Sequence, residues 1–173
     1  MEIKEIDGSL LEGGGQILRV CSTLSSILNI PVHITKIRAG RKTPGLSAQH
    51  SAGITTLTKL TDGHEEGNTV GSVDLSLTPG TTISQDTFKI DIGTAGAITL
   101  VIQSLLPTVL FSGSKRPHGG EMTFEIVGGT NVSFSPPIDH LYHVLLPILQ
   151  VDTHYFLLFY KHMRRALRYF MFL

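Results

Sequence analysis

Cysteine, long apolar runs and an excess of charge of either sign are all scarce in this sequence. Cys21 is the single cysteine among 173 residues, which excludes a disulfide framework and a multi-cysteine zinc site. No window approaches the ~20 consecutive apolar residues of a membrane span, and the first residues lack the charged-then-apolar order of a signal peptide. The formal net charge is zero, so any contact with nucleic acid requires a local basic patch. These absences predict a soluble intracellular protein.

Apolar residues and glycine are plentiful by contrast. Hydrophobic residues make up 41% of the chain and charged residues 16%, a balance typical of a globular protein, and the 18 glycines indicate many turns. Strands are predicted from alternating apolar residues and helices from a 3.6-residue period. The predicted strands are 2–6, 32–37, 70–77, 88–92, 109–112 and 122–127, and the predicted helices are 16–28, 47–60, 97–106 and 138–150. This order predicts an α+β fold in which one sheet-and-helix unit is used about twice, with 88–92 as the last strand of the first unit.

The composition changes after Gln150, which predicts a division into residues 1–150 and a different segment, 151–173. The second segment holds seven of the chain's twelve aromatic residues and no acidic residue after Asp152. An aromatic and basic tail is the main interpretation. A basic amphipathic helix lying on a membrane is the alternative.

The first candidate site is the run Glu12-Gly13-Gly14-Gly15 with Arg19 behind it. Glycines before a helix leave backbone N–H groups open at its N-terminus, and this geometry favours a phosphate. Arg19 lies near enough to reach the same anion, and Glu12 could hold a metal ion that bridges phosphates. The alternative is an ordinary glycine turn with a surface Glu–Arg pair. The run is not a Walker loop, because the GK[ST] ending is missing.

The second candidate site is a basic loop that leads into a helix. Arg38, Arg41 and Lys42 cluster there, and Gln49 and His50 follow in the first turn of the helix. Guanidinium groups suit phosphate oxygens better than a point charge does. A solvated basic loop with a helix cap is the alternative interpretation.

Three weaker features complete the set. Gly96 lies just before a predicted helix that carries Gln103, which could contact a base or a phosphate. A turn at Gly128-Gly129 is followed by Pro136-Pro137. His140 and His143 are three apart on a predicted helix, but a polar helix face is the preferred interpretation over a metal pair.

Taken together, the motifs EGGGQILR, IRAGRKTPGLSAQH, TAGA…Q…LP and GGTN…PPID resemble the RNA 3'-terminal phosphate cyclase family over residues 2 to 150. The intact EGGGQ stretch separates the chain from the family's non-catalytic ribosome-biogenesis relative. The resemblance implies repeated α+β units, as in the enolpyruvyl transferases, and ATP-dependent conversion of an RNA 3'-phosphate to a 2',3'-cyclic phosphate. In that family a histidine attacks the α-phosphate of ATP. The AMP passes to the RNA 3'-phosphate, and the neighbouring 2'-hydroxyl displaces it.

The resemblance also implies a role for each matching residue. The phosphate and RNA-end site is assigned to Arg19, Arg38, Arg41 and Gln49. The ATP contacts are assigned to Glu12, Gln103 and Pro136, and Glu12 would also support the divalent metal, Mg or Mn. The implied partners are ATP and RNA 3'-phosphate ends, with no membrane, and the implied location is the nucleus if the source is eukaryotic.

The chain departs from the family pattern after Gln150. The family's nucleophilic histidine lies near the end of a chain about twice this long, and no histidine here stands in that motif. The inserted smaller domain is also missing. We therefore expect a truncated member with an alternative terminus. A non-catalytic fragment that binds nucleotide or an RNA end is the second hypothesis, and covalent AMP on the protein would separate the two.

Overall fold

A computed structural model of the chain describes residues 2–11, 13–81, 85–111, 122–153, 157–163 and 166–172. The first half forms one sheet-and-helix unit. Its elements are β1 (Lys4–Asp7), α1 (Gly15–Leu28), β2 (Val32–Thr35), α2 (Ala48–Thr61), β3 (His64–Glu66) and β4 (Leu75–Thr78). The strand order is β1-β2-β4-β3, with β1 and β2 parallel and the other neighbours antiparallel.

The second half repeats this topology. Its elements are β5 (Thr87–Asp91), α3 (Ile98–Phe111), β6 (Thr123–Val127), α4 (Ile138–His140), a π-helical segment (Leu141–Leu145), α5 (Leu146–Thr153), β7 (Leu157–Met163) and β8 (Ala166–Phe172). The strand order β5-β6-β8-β7 again begins with a parallel pair and continues with antiparallel ones. The predicted α+β fold with a repeated unit is confirmed.

Local sequence explains the helices that position the site. Helix α1 ends at Asn29, whose φ of 57° is left-handed, and Pro31 follows two residues later. Ser47 caps α2, and His50 takes the place that Glu or Gln holds in a capping box. Strand β2 alternates between buried Val32 and Ile34 and partly exposed neighbours, as a strand covered on one face does.

Helix α2 belongs to the cores of both units. Its Ile54 packs with the first sheet, whereas Leu57 and Leu60 pack with the second. Helices α1 and α3 are joined by a buried hydrogen bond of 2.9 Å from Thr23 Oγ1 to the Ser104 carbonyl oxygen. The two units therefore share one helical layer, and the connections that lead into its helices come close together.

Several predicted elements are corrected by the structure. Pro107 lies inside α3 and does not end it, because Leu105, Leu106 and Val109 around it are buried in the second core. The predicted strand at 109–112 is wrong for its described part, which is the end of α3. The predicted strand 70–77 is shorter, since only Leu75–Thr78 pairs.

The boundary of the repeat also differs from the prediction. Residues 88–92 were predicted as the last strand of the first unit, but β5 begins the second unit by pairing with β6. The charged strand β3 takes that place in the first sheet. The alternative of a membrane-surface helix in 151–173 is wrong, because most of that segment is β7 and β8. Among the described residues, no helix has the length and apolar character needed to cross a membrane.

Candidate phosphate and nucleotide site

Two adjoining cavities lie against α1, one at the start of this helix and the other between α1 and α3. We call the first the basic cavity. It has a volume of about 690 Å³, and its lining includes Gly13–Ile17, Arg19, Arg38, Arg41, Gln49 and His50. The structure thus brings together all four residues predicted for the phosphate and RNA-end site.

The N-terminus of α1 opens into the basic cavity. Gly14 is its N-cap and contributes no side-chain hydrogen bond, so the first N–H groups of the helix remain available to an anion. Gly13 has a φ of 54°, a conformation that glycine adopts without strain. A Cβ on Gly14 would lie 2.9 Å from an Arg41 guanidinium nitrogen, and one on Gly15 would overlap the His50 ring. The glycines therefore allow both side chains to approach the helix start.

The basic loop is held in place by its own backbone. Arg38 has a left-handed φ of 54°, and one guanidinium nitrogen donates to the Gly45 carbonyl oxygen at 2.7 Å. Gly45 has a φ of 81° and packs against the backbone of Gly71, where a side chain would not fit. Burial, and then the neighbouring charge of Arg41, lowers the pKa of the Arg38 guanidinium. The loop therefore holds two guanidinium groups near each other beside the helix start.

Arg19 is the cation that most clearly indicates an anion-binding site. Its side chain is half-buried, and burial lowers the pKa of its guanidinium. Burial is the one cause of that shift, and no carboxylate among the described residues contributes to it. A half-buried cation without an opposing charge among the described residues is costly, and an anion in the cavity would offset that cost.

Gln49 has a second task beside the cavity. Its Oε1 accepts a hydrogen bond of 2.8 Å from the Ala97 N–H, at the start of the second unit's first helix. Gly96 leaves room for this contact, since a Cβ there would lie 3.2 Å from the Gln49 Cβ. The amide NH₂ remains as the donor that Gln49 can offer to a ligand. Gln49, which is predicted to contact the phosphate, thus also fixes α2 to α3.

His50 was not assigned a role from the sequence, although it lies at the centre of the site. It is 6% exposed and lines the basic cavity. Burial, followed by the charges of Arg38 and Arg19, lowers the pKa of His50 to about 4, so the ring is neutral near pH 7. One feature of the sequence could have indicated this position: His50 lies three residues after Ser47, where a capping box has its side-chain acceptor.

The second cavity, which we call the apolar cavity, is lined by Gln103 and Pro136, two of the three residues predicted to contact ATP. Its volume is about 560 Å³, and its lining includes Val20, Leu24, Leu100, Gln103, Phe134 and Pro136. Thr99 Oγ1 donates to the Pro136 carbonyl oxygen at 2.8 Å and so fixes this wall to α3. Apolar walls with few polar groups suit a planar ring such as a base. Arg19 lines both cavities and connects them.

The predicted metal role rests on Glu12, which lies outside the described residues and stays a prediction. Among the residues that the structure describes, no group of three His, Cys, Asp or Glu side chains could hold a metal ion. His140 and His143 are exposed on their helix, in agreement with a polar face. Cys21 is half-buried and packs against the first core. The described part of the site is therefore cationic and suited to phosphates.

Comparison with known proteins gives a consistent result. A family model described as RNA 3'-terminal phosphate cyclase matches residues 10–163. Curated proteins named RNA 3'-terminal phosphate cyclase are similar to this chain over most of its length. The one from Thermococcus kodakarensis is 47% identical over 150 residues, which cover 87% of this chain and 41% of the relative. For the Drosophila melanogaster protein the identity is 46% over 146 residues, with 84% and 38% covered. For the Ignicoccus hospitalis protein it is 44% over 146 residues, with 84% and 39% covered. The chain spans about two fifths of the length of these relatives.

Proposed function

Because this chain belongs to the RNA 3'-terminal phosphate cyclase family, we propose that its two cavities bind the RNA 3'-phosphate and the ATP of a cyclase reaction. The basic cavity takes the phosphate at the RNA end, and the apolar cavity takes the adenosine of ATP. The overall reaction is the ATP-dependent conversion of an RNA 3'-phosphate to a 2',3'-cyclic phosphate. The observation that carries this proposal is Arg19, a half-buried cation that lines both cavities.

The proposed reaction needs positive charge between the two phosphates. Transfer of AMP to an RNA 3'-phosphate brings two anions together, and their repulsion opposes the reaction unless fixed positive groups offset it. Arg19 lies where the two cavities join, while Arg38 and Arg41 line the basic cavity alone. The open N–H groups of α1 add donors whose direction is fixed by the helix. These groups hold the RNA phosphate and leave the α-phosphate of ATP near Arg19.

The apolar cavity suits the nucleoside. Pro136 and Leu100 offer apolar surface for a base, and Gln103 offers an amide that can contact its polar edge. A divalent metal, Mg or Mn, supplies charge to the ATP phosphates when it is bound. Glu12 as its ligand, and a nuclear location for a eukaryotic member, remain predictions.

A non-catalytic function in binding nucleotide or RNA ends is the second candidate. Among the described residues that line the two cavities, His50 is the one histidine, and its Nδ1 is already hydrogen-bonded to Ser47. Because Nδ1 accepts from the Ser47 N–H, the neutral ring carries its proton on Nε2, and neither nitrogen has a free lone pair to attack ATP. The candidate therefore binds both ligands without forming a covalent intermediate.

Labelled ATP separates the two functions. The chain is incubated with ATP labelled at the α-phosphate, Mg²⁺ or Mn²⁺ and an RNA oligonucleotide that ends in a 3'-phosphate. Acid-labile AMP on the protein, or a cyclic phosphate on the RNA, supports cyclase activity. Binding of both ligands by folded protein without either product supports the binding function. A folded chain that binds neither ligand contradicts the proposal, with circular dichroism as the control for folding.

A further inference from the structure

His50 carries an inference that goes beyond the motif assignments. It lies in the first turn of α2, is 6% exposed, and faces both the start of α1 and the cations of the basic cavity. The contacts of the ring determine which of its nitrogens carries the proton and what the other nitrogen does.

The hydrogen bonds at Ser47 fix the tautomer. The Ser47 backbone N–H donates to His50 Nδ1 at 3.2 Å, and Ser47 Oγ lies 2.9 Å from the same nitrogen. A backbone N–H can only donate, so Nδ1 must be the acceptor. A neutral imidazole has one donor and one acceptor nitrogen, and the proton therefore lies on Nε2.

The position of Nε2 is fixed as well. It is the atom that a Cβ on Gly15 would overlap, so it faces the first residue of α1. The open N–H groups at this helix start are the place where an anion is expected. A donor on Nε2 thus converges on the same place as those N–H groups.

The charged neighbours keep the ring neutral. Arg19 on α1 and Arg38 on the basic loop both oppose a second proton, and Arg41 lines the same cavity. No described residue that lines the basic cavity is a carboxylate that could favour the charged ring. A neutral donor adds direction without adding charge, and its strength does not change with pH near neutrality.

We propose that His50 is a neutral hydrogen-bond donor that presents Nε2–H to a phosphate oxygen at the first turn of α1, with Ser47 fixing this tautomer. The proposal rests on the proposed function in that the phosphate is the RNA 3'-phosphate. Arg19, Arg38 and Arg41 supply the charge, and His50 sets the orientation of the bound group.

Two substitutions separate this role from that of a helix cap. His50→Gln keeps an oxygen that can accept from Ser47 and an NH₂ that can donate into the cavity. His50→Glu keeps the acceptor for the cap but places a carboxylate beside the phosphate. We expect Gln to retain affinity for RNA ending in a 3'-phosphate within a few-fold, and Glu to lower it roughly tenfold or more. Similar affinity of the two variants, both folded by circular dichroism, would overturn the proposal.

Nuclear magnetic resonance of ¹⁵N-labelled histidine tests the tautomer directly, with His50→Gln used to assign the signal. We expect a single neutral Nε2–H form between pH 6 and 8, and a shift of this proton when inorganic phosphate is added. A proton on Nδ1, a charged ring in this range, or no response to phosphate would overturn the proposal. Failure of the proposed function is distinguishable, because the chain would then respond to inorganic phosphate and yet bind RNA equally well with and without a 3'-phosphate.

Discussion

The two units of the chain share a topology but differ in the connections that lead into their helices. In the first unit, the connection 36–47 between β2 and α2 holds Lys36, Arg38, Arg41 and Lys42. In the second unit, neither 92–97 nor 128–137 contains a charged residue. Connection 36–47 supplies Arg38 and Arg41 to the basic cavity, whereas connection 128–137 supplies Phe134 and Pro136 to the wall of the apolar cavity.

This difference shows that the repeated fold supplies position and that the connections supply chemistry. The same strand-to-helix geometry presents cations and open N–H groups in the first unit, and Pro136 and Phe134 in the second. A phosphate and a base need these two surfaces side by side. Substitutions made in one unit at a time test this division.

The largest expected effect is a loss of stability at low pH, and it arises in the first unit. His50 has a pKa of about 4 in the folded chain, whereas an unfolded chain would bind its proton near pH 6.5. The unfolded state therefore binds more protons between these values, and stability falls as the pH is lowered from about 6.5 to 4, by on the order of 3 kcal/mol. Urea unfolding at several pH values measures this change.

The control is His50→Gln, which should lose most of this acid sensitivity. His33 changes stability in the opposite direction, because its hydrogen bonds to Asp74 and Glu5 raise its pKa. Its contribution is present below pH 6.5 and is lost as the pH rises through the folded pKa. An unchanged acid slope in His50→Gln would show that His50 is not the buried neutral group.

The next largest effect is a loss of affinity, and it distinguishes ATP binding from RNA binding. Arg19→Met should lower affinity for both ATP and RNA ending in a 3'-phosphate by about 2 kcal/mol each, since the removed cation lines both cavities. Gln103→Leu should affect ATP alone, because Gln103 lines only the apolar cavity. Isothermal titration calorimetry with each ligand measures both. Equal losses of RNA affinity in the two variants would contradict the division into two surfaces.

A smaller effect tests the glycine start of α1. Gly15→Ala should lower the free energy of unfolding by about 1–2 kcal/mol, because the new Cβ overlaps the buried His50 ring. Gly14→Ala is the matched control, since its Cβ meets only the movable end of Arg41. The same urea midpoint for both variants would mean that His50 does not pack against this helix.

The smallest effect is a gain in stability. Gly53 is buried inside α2, and a Cβ there would find no atom within 4 Å. Gly53→Ala should raise the free energy of unfolding by about 1 kcal/mol, because alanine favours a helix more than glycine does. A loss of stability in a thermal melt would show that the space beside Gly53 is needed.

The architecture was largely predictable because it depends on periodicity. Alternating residues gave β2 and β6, and the Gly and Pro positions marked most connections. Pro107 misled the prediction, since burial of α3 outweighs the hydrogen bond that proline removes. The short strand β3 has a charged sequence and forms only through pairing with β4, which local sequence does not show.

The structure brings the residues predicted for the phosphate site together, but their contacts were not predictable. The glycine run and the two arginines of the basic loop indicated a phosphate from their chemistry alone. The bond from Ala97 to Gln49 and the contact between Gly15 and His50 join distant parts of the sequence. Such contacts depend on how the helices pack, so the sequence showed neither the second task of Gln49 nor the position of His50.

The central proposal is that the first unit recognises a terminal phosphate on RNA. The most direct measurement is fluorescence anisotropy of one 5'-labelled RNA oligonucleotide prepared with a 3'-phosphate or with a 3'-hydroxyl. The account predicts that the purified chain binds the phosphate-ended RNA more tightly by roughly thirtyfold or more, and that Arg19→Met removes most of this preference. Equal affinity for the two ends, with folded protein, would contradict the account.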